Sequence, residues 1–289
     1  MKFPVFRIHG RAPRMELADR VVLITGAAQG IGLALARALY YQCAAIALVD
    51  VDERAVRQAA ADLGPRAVGL TADVRDRRAM AAAVDAAAQQ FGRLDIVVAN
   101  AGVTPSPSTV RMMDSDEFDR VIGINLTGVY NTVKPALPHI VERHGHIVVV
   151  SSSAAFAPAV GGSPYMASKA AVEQLGRVLR VELAAHGASV QIAYFGIVDT
   201  ALTHNVLDAD DIGRRLDEML PWPLNRRITA DQAARSIADG IRNRSAHTIA
   251  PAGWQVYSWL RGAVNPLLDH LLTKDADVRE LVGDLEKRR

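Results

Sequence analysis

Residues 21–32 read Val-Val-Leu-Ile-Thr-Gly-Ala-Ala-Gln-Gly-Ile-Gly, an apolar run followed directly by a glycine-rich turn. The run is rich in β-branched residues, which predicts a buried parallel strand. Glycines permit unusual backbone angles and close approach to a pyrophosphate, and the apolar helix that follows offers unpaired N–H groups at its start. This pattern predicts a nucleotide site, although a turn with the spacing G-x-x-x-G-x-G can also begin a helix that binds no ligand.

An acidic residue follows the second predicted strand. Residues 45–49 form a short apolar run that ends at Asp50, 24 positions after Gly26. An acid at about this spacing bonds the adenosine ribose hydroxyls in dinucleotide sites, and Asp52 is the alternative candidate. A carboxylate there would repel a 2′-phosphate, and Gln29 adds no positive charge to attract one. The sequence therefore favours NAD over NADP.

Strands and helices alternate along the chain. This pattern predicts an α/β fold, a Rossmann-type doubly wound parallel sheet of about seven strands with helices on both faces. Ligands of such sheets bind beyond the carboxyl ends of the strands. Asp73, which follows the third strand, is therefore a candidate to bond the adenine amino group. The predicted strands are 21–25, 45–49, 67–71, 94–99, 146–151, 189–195 and 247–250, and the predicted helices are about 31–42, 53–63, 76–91, 116–142, 165–185 and 230–243.

A second group of polar residues can carry proton chemistry. Tyr165 and Lys169 are four residues apart, which places them on one helix face. Ser152 lies at the end of the fifth predicted strand. Together they offer a phenol that can give or take a proton, a cation that tunes it, and a hydroxyl that holds the reacting oxygen. By themselves, the tyrosine could equally pack on the sheet and the lysine could be solvated.

The order and spacing of these motifs resemble the short-chain dehydrogenase/reductase family, over about residues 17–251. The resemblance implies that Tyr165 is the general acid of ketone reduction and the general base of alcohol oxidation. A free phenol titrates near ~10, and lowering its pKa by about 3 units requires roughly 4 kcal/mol. A cation at about 4 Å in an effective dielectric near 20 supplies a similar amount, so Lys169 is predicted to lower that pKa. The motifs are Thr25-Gly26-x-x-x-Gly30-x-Gly32, Asn100-Ala101-Gly102, Asn125, Ser152, Tyr165-x-x-x-Lys169 and Gly196-x-Val198-x-Thr200.

The resemblance also implies roles for neighbouring residues. Ser152 would bond the substrate oxygen, Ser153 would line the substrate pocket, and Asn125 would hold a water that links Lys169 to solvent. Phe195 stands where the family usually has proline, and adds bulk near the cofactor or the core. No metal site is predicted. The predicted cofactor-binding residues are Gly26, Gln29, Gly30, Ile31, Gly32, Asp50, Asp73, Val74, Asn100, Ala101, Gly102, Tyr165, Lys169, Gly196, Val198 and Thr200.

The composition excludes several classes of protein. The 289 residues carry a formal net charge of +2, so nothing indicates a nucleic-acid partner. A single cysteine, Cys43, excludes an internal disulfide framework and permits a reducing compartment. It stands where a glycine would close the first helix, and is predicted to be buried packing or a helix stop. Because neither a signal peptide nor a transmembrane segment is recognisable, we predict a cytoplasmic location.

The chain is predicted to comprise three parts. Residues 1–15 form a flexible leader, residues 16–251 the NAD-binding catalytic domain, and residues 252–289 a helical extension beyond the family's usual end. Residues 201–228 form a substrate lid rich in apolar residues, including Leu202, Leu220 and Trp222. An apolar lid favours a lipophilic alcohol or ketone, unless it packs only on the protein itself.

The extension is predicted to form two helices separated near Asn265 and Pro266, with an exposed, charged tail from Val278 onward. It could cover the active site, pack at a subunit interface, or lie on a membrane surface, and the lack of a basic cluster disfavours the membrane. By resemblance, the protein is predicted to be a homodimer or homotetramer.

Three functions compete for this sequence. The leading one is an NAD-dependent oxidoreductase that interconverts a secondary alcohol and a ketone, with an NADP-dependent reductase as its variant. The second is a dinucleotide sensor on the same fold that performs no reaction. The third is a nucleotide-sugar epimerase or dehydratase, whose members usually carry the different glycine spacing G-x-x-G-x-x-G.

Overall fold

The computed structural model describes residues 14–219 and 222–287. Of the predicted leader, residues 1–13 lie outside the described residues, as do the lid residue Leu220 and the last two residues of the tail. Met15 is buried in the core, and its N–H donates to the carbonyl of Arg242 at 2.8 Å. The end of the predicted leader therefore packs with the domain.

The order of strands and helices follows the predicted alternation. The strands are β1 Val21–Thr25, β2 Ala45–Asp50, β3 Ala67–Thr71, β4 Ile96–Ala99, β5 His146–Val150, β6 Ser189–Phe195, β7 Val198–Asp199, β8 Ile228–Thr229 and β9 His247–Ala250. The helices are α1 Gly30–Tyr40, α2 Glu53–Leu63, α3 Arg77–Phe91, α4 Ser115–Ile122, α5 Gly128–Glu142, α6 Ser163–Ala184, α7 Ala201–Leu207, α8 Asp211–Glu218, α9 Ala230–Arg242, α10 Gly253–Lys274 and α11 Ala276–Lys287.

Seven strands form one parallel sheet in the order β3-β2-β1-β4-β5-β6-β9, while β7 and β8 pair separately. The strand order reverses between β1 and β4, and ligands of doubly wound sheets bind at such a switch point. The central strands are buried on both faces, as their continuous apolar sequences predict. The predicted Rossmann-type α/β fold is confirmed.

Two apolar cores lie on opposite faces of this sheet. One contains Ile24 of β1 with side chains of α1, α2 and α9, and the other contains Leu23 with side chains of α3, α5 and α6. Alternate residues of β1 therefore serve opposite cores. Both side chains are fully buried, and burial of one such residue stabilises the fold by about 1.5–3 kcal/mol.

One predicted helix is interrupted. The sequence predicts a continuous helix over 116–142, but a π-helical turn, Gly123–Thr127, separates α4 from α5. Such turns insert an extra residue and are frequent at functional sites. The buried Asn125 lies within this turn.

The turn that follows the first helix contains a residue with a left-handed backbone. Cys43 has φ 66° and is exposed. The N–H groups of Cys43 and Ala44 donate to the carbonyls of Tyr40 and Leu39, so Cys43 lies where the helix stops, as predicted. The alternative of buried packing is wrong, because the side chain is exposed.

A buried histidine lies at the opposite end of the sheet from the strands' carboxyl ends. His146 begins β5, with Nδ1 2.7 Å from Ser189 Oγ and Nε2 3.3 Å from Gln191 Oε1. Burial lowers the pKa of His146 to about 4, and the nearby charge of Arg244 adds to this effect. The imidazole is therefore neutral at pH 7.

The C-terminal segment forms two helices, but the predicted position of the break is wrong. Helix α10 continues through Pro266, and the break falls at Asp275, whose carboxylate accepts hydrogen bonds from the N–H groups that begin α11. The prediction of an exposed tail from Val278 onward is also wrong in part, because Leu281 and Leu285 are only 1% and 2% exposed. Within residues 14–219 and 222–287, no helix is both long and apolar enough to cross a membrane.

Candidate active site

The glycine-rich turn between β1 and α1 adopts backbone angles that favour glycine. Gly26 and Gly30 have φ of +63° and +55°, a region in which a side chain is strained. A Cβ on Gly32 would lie 2.2 Å from the carbonyl oxygen of Gly26, so the turn closes directly on the first helical residues. The three glycines of the motif are thus required by the local backbone.

The end of β4 holds this turn in place. The Asn100 side chain donates to the carbonyl oxygens of Thr25 and Gly26 at 2.9 and 3.2 Å. The Thr25 hydroxyl accepts the N–H groups of Asn100 and Ala101 at 3.1 and 3.2 Å. Thr25, which the site prediction omits, therefore joins the two strands at the switch point.

The start of α1 fits the diphosphate of a dinucleotide. Helices α2 and α3 are capped by the carboxylates of Asp52 and Asp76. Gln29 is the N-cap residue of α1, and within the described residues its side chain caps no N–H group of the helix. The first turn of α1 contains no acidic residue. The uncapped N–H groups and the helix dipole favour an anion at this point.

The two candidate ribose acids have different surroundings. Asp50 Oδ2 accepts the N–H of Ala28 at 3.0 Å, which fixes its carboxylate beside the glycine turn. Asp52 accepts the N–H of Ala55 at 2.9 Å as the cap of α2. Capping of α2 explains the position of Asp52 without a ligand. Asp50, whose carboxylate lies beside the glycine turn, is therefore the better candidate for the ribose.

Asp73 has a partner that the sequence prediction did not include. Its carboxylate receives hydrogen bonds from the guanidinium of Arg75, at 2.9 Å to Nε and 2.6 Å to the terminal nitrogen. These bonds hold the pKa of Asp73 below its usual value. The neighbouring Val74 is buried, and its carbonyl accepts from Asn131 at 2.9 Å.

Tyr165 and Lys169 lie one turn apart on α6, with the Lys169 ammonium nitrogen 5.6 Å from the centroid of the Tyr165 ring. The lysine is 4% exposed, and its Nζ donates to the carbonyl of Val150 at 3.0 Å. Burial lowers the pKa of Lys169 to about 8, so the group remains mainly charged at neutral pH.

The pKa of the phenol shifts in the direction opposite to the sequence-based expectation. Burial raises the pKa of Tyr165, and a hydrogen bond with the Ser152 hydroxyl opposes that shift only in part. Some of the side chain remains accessible from the surface. The expected lowering by Lys169 is not found, and desolvation of the phenolate is the largest effect on this pKa.

Ser152 contacts both the main chain and the tyrosine. Its hydroxyl donates to the carbonyl of Phe195 at 3.2 Å and accepts the N–H of Ala154 at 3.1 Å.

The Phe195 side chain is 3% exposed and packs in the core, so the bulk that replaces the family's proline lies in the core. Ser153 begins the 3₁₀ turn that follows and is also buried.

The side chain of Asn125 bonds to the main chain of Val103, in the loop after β4. Its Oδ1 accepts the N–H of Val103 at 2.8 Å, while its Nδ2 donates to the carbonyl of Val103 at 2.9 Å and to Ser168 Oγ at 3.1 Å. The Ser168 hydroxyl donates in turn to the carbonyl of Tyr165 at 2.7 Å. Ser168 was missed by the prediction, although its position directly before Lys169 was a usable signal.

Gly102 connects the turn side of the site with the catalytic side. A Cβ on Gly102 would lie 3.3 Å from Lys169 Nζ and 3.4 Å from Asn125 Oδ1. The loops after β4 and β5 and the helix α6 therefore bring Gly102, Asn125, Ser152, Tyr165 and Lys169 together at the carboxyl end of the sheet.

The loop after β6 completes this arrangement. The Thr200 methyl carbon would lie 3.6 Å from a Cβ on Gly30, so residues 196–200 reach the glycine turn. A Cβ on Gly196 would lie 2.6 Å from Nε1 of Trp254 in α10. The structure thus places the extension against a predicted site residue, which the sequence alone did not indicate. Val198 is buried, whereas Leu202, on α7, is 37% exposed.

The fold and these convergent residues define the class of Rossmann-fold oxidoreductases. Residues 20–211 match the family model described as short chain dehydrogenase. The chain belongs to the short-chain dehydrogenase/reductase family.

Characterised relatives agree with this assignment. The chain is 39% identical over 224 residues to the cis-4-hydroxycyclohexanecarboxylate dehydrogenase of Sinomonas cyclohexanicum, covering 76% of this chain and 88% of the relative. It is 39% identical to the (-)-trans-carveol dehydrogenase of Rhodococcus erythropolis, covering 66% and 75% of the two chains. The 3-ketoacyl-(acyl-carrier-protein) reductase of Brucella melitensis, solved with NADH, superposes with a TM-score of 0.73 at 27% identity, covering 81% of this chain and 97% of that one.

Proposed function

We propose that this protein is an NAD-dependent oxidoreductase that interconverts a secondary alcohol and a ketone, with Tyr165 as the general acid and base. The observation that carries the proposal is the convergence of Ser152, Tyr165 and Lys169 beside Gly102 and the glycine turn. A phenol, a hydroxyl and a buried cation at one point match the needs of a carbonyl oxygen that gains or loses a proton.

Proton handling follows from the surroundings of the phenol. Because burial raises the pKa of Tyr165, the phenol is protonated at neutral pH, the form that donates to a ketone oxygen. Ser152 hydrogen-bonds the same oxygen and orients it. In alcohol oxidation the phenol must first lose its proton, a step that the raised pKa of Tyr165 disfavours at neutral pH and that becomes easier as the pH rises. The nicotinamide, when bound, supplies the hydride chemistry.

The preference for NAD rests on Asp50. Its carboxylate is held against the main chain of the glycine turn by the N–H of Ala28. A negative charge at this position favours ribose hydroxyls, which can donate to it, and disfavours a 2′-phosphate. We propose that Asp73 and Val74 flank the adenine, where the pairing of Asp73 with Arg75 limits its free acceptors.

The substrate that we propose is a lipophilic secondary alcohol or the corresponding ketone. The relative named for cis-4-hydroxycyclohexanecarboxylate supports an alcohol on a ring. Apolar residues of the lid, with Leu202 on α7 nearest in sequence to Thr200, support a lipophilic body.

The test is a spectroscopic screen of secondary alcohols with NAD, repeated with the Tyr165→Phe variant. We expect NADH formation by the native protein and a loss of at least about 1,000-fold in the variant, because no other described group replaces the phenol. Tyr130→Phe, on the exposed face of α5, is the matched control and should keep full activity.

Calorimetric titration separates binding from chemistry. Tyr165→Phe should bind NAD with a Kd within about a few-fold of the native value, since one hydroxyl is lost. Retained turnover in this variant would contradict the acid–base role. NAD binding without turnover of any alcohol by the native protein would support a dinucleotide sensor instead.

A further inference from the structure

Helix α11 lies across three segments that follow different strands of the sheet. Residues 104–114 follow β4, residues 156–162 follow β5, and residues 201–218 follow β6; we call these the rim segments. Because ligands of such sheets bind beyond the carboxyl ends of the strands, the rim segments follow strands at the end of the sheet where Ser152 and Tyr165 meet.

Apolar contacts join α11 to two rim segments. Leu281 and Leu285, 1% and 2% exposed, pack with Ile212 of α8 in a cluster separate from the two main cores. Val160, in the second rim segment, packs against the same cluster. One methyl carbon of Leu285 would lie 3.5 Å from a Cβ on Gly161. The two leucines therefore fasten α8 to residues 156–162.

Polar contacts connect α11 to the remaining rim segment, residues 104–114. Glu286 accepts from the Thr109 hydroxyl at 3.2 Å and from Arg111 Nε at 3.0 Å. Asp284 pairs with Arg215 of α8 at 2.7 Å. A single helix thus contacts all three rim segments, which are far apart in sequence.

We propose that α11 positions the three rim segments and thereby restricts the site to compact lipophilic alcohols. Leu281 and Leu285 are positioning residues, because they act through α8 and the segment 156–162. Because α11 ties these three segments together, we expect a ring-sized body to be accepted and a long alkyl chain to be disfavoured. This inference rests on the proposed oxidoreductase function.

The test compares cyclohexanol with decan-2-ol as substrates of two full-length variants. L281A/L285A removes the apolar contacts of α11, and L260A/L267A makes the same deletions on exposed positions of α10 as the matched control. We expect the native enzyme to prefer cyclohexanol. In L281A/L285A the ratio of kcat/KM for cyclohexanol to that for decan-2-ol should fall at least about tenfold through KM, with NAD affinity and cyclohexanol kcat within about twofold. An unchanged ratio, or an equal change in the control, overturns the proposal.

A charge exchange provides a second variant in case the leucine variant misfolds. Arg111→Glu and Glu286→Arg should each loosen the first rim segment, and the combined exchange should restore the native substrate ratio. Hydrogen exchange gives a readout without turnover: amides of 104–114, 156–162 and 211–218 should exchange faster in L281A/L285A and not in the control. If the native protein oxidises neither these two alcohols nor any other secondary alcohol of the screen, the proposed function fails. The hydrogen-exchange rates then test the positioning role of α11 by themselves. Faster exchange in L281A/L285A supports this role, and unchanged exchange contradicts it.

Discussion

The ion pair between α10 and the catalytic helix α6 yields a prediction with a defined magnitude. Glu173 lies one turn after Lys169, and its side chain is 8% exposed. Arg261 of α10 donates to both carboxylate oxygens, at 2.9 Å for one of them. Its guanidinium also lies 4.7 Å from the centroid of the Phe156 ring, in the segment that follows Ser152.

Arg261→Met would leave the Glu173 carboxylate buried without its cation. Breaking a buried pair from one side costs about 3–5 kcal/mol. The Arg261 side chain is 30% exposed, so water compensates in part and the lower value, about 3 kcal/mol, applies. For a domain of this size, about 3 kcal/mol corresponds to a fall in Tm of about 6–12 °C.

Thermal unfolding followed by circular dichroism at fixed protein concentration measures this effect. The double variant E173Q/R261M should recover most of the lost Tm, because the stranded charge is then removed. Arg235→Met, at an exposed position of α9, is the control and should shift Tm by less than about 2 °C. An R261M variant that unfolds within about 2 °C of the native protein, or a double variant that is less stable than R261M, would contradict the expected cost of the stranded charge.

Two further predictions concern the cofactor and the response to acid. Asp50→Asn should raise the affinity for NADP relative to NAD about tenfold, equivalent to about 1.4 kcal/mol of removed repulsion, while Asp52→Asn, which alters only a helix cap, should leave the ratio measured by calorimetry unchanged. Because burial lowers the pKa of His146 in the folded protein to about 4 from its ordinary value of 6.5, unfolded chains take up a proton first as the pH falls below about 6.5. This residue alone should cost about 3 kcal/mol of stability by pH 4. Denaturant unfolding from pH 7 to 4 should show that loss in the native protein and not in His146→Asn, and parallel profiles would contradict it.

Much of the glycine-rich part of the candidate site could be predicted, because it depends on residues that are close together in the sequence. The run 21–25 and the glycines at 26, 30 and 32 are adjacent in sequence, and their side-chain volumes and backbone preferences act within one strand, turn and helix. The spacing of Tyr165 and Lys169 likewise determines a shared helix face whatever the rest of the chain does.

The contacts that the sequence did not reveal join residues far apart in the chain. The buried pair of Glu173 with Arg261 and the contact of Glu286 with Thr109 carry no periodic signal, since each residue taken alone resembles an ordinary solvated polar or charged residue. The pKa of Tyr165 is another such property. Adjacent residues indicated a lowering by Lys169, whereas burial, which depends on the whole fold, raises it.

The alternating α/β order, the glycine turn at the end of the first strand and the family to which the chain belongs could all be predicted from the amino-acid sequence, because these depend on residue type and short spacing. The folded structure was needed to show that the C-terminal helices pack against Gly196 and the rim segments, and that the break between these helices falls at Asp275. Proline tolerance and burial depend on which surfaces meet, and those surfaces exist only once distant segments have packed together.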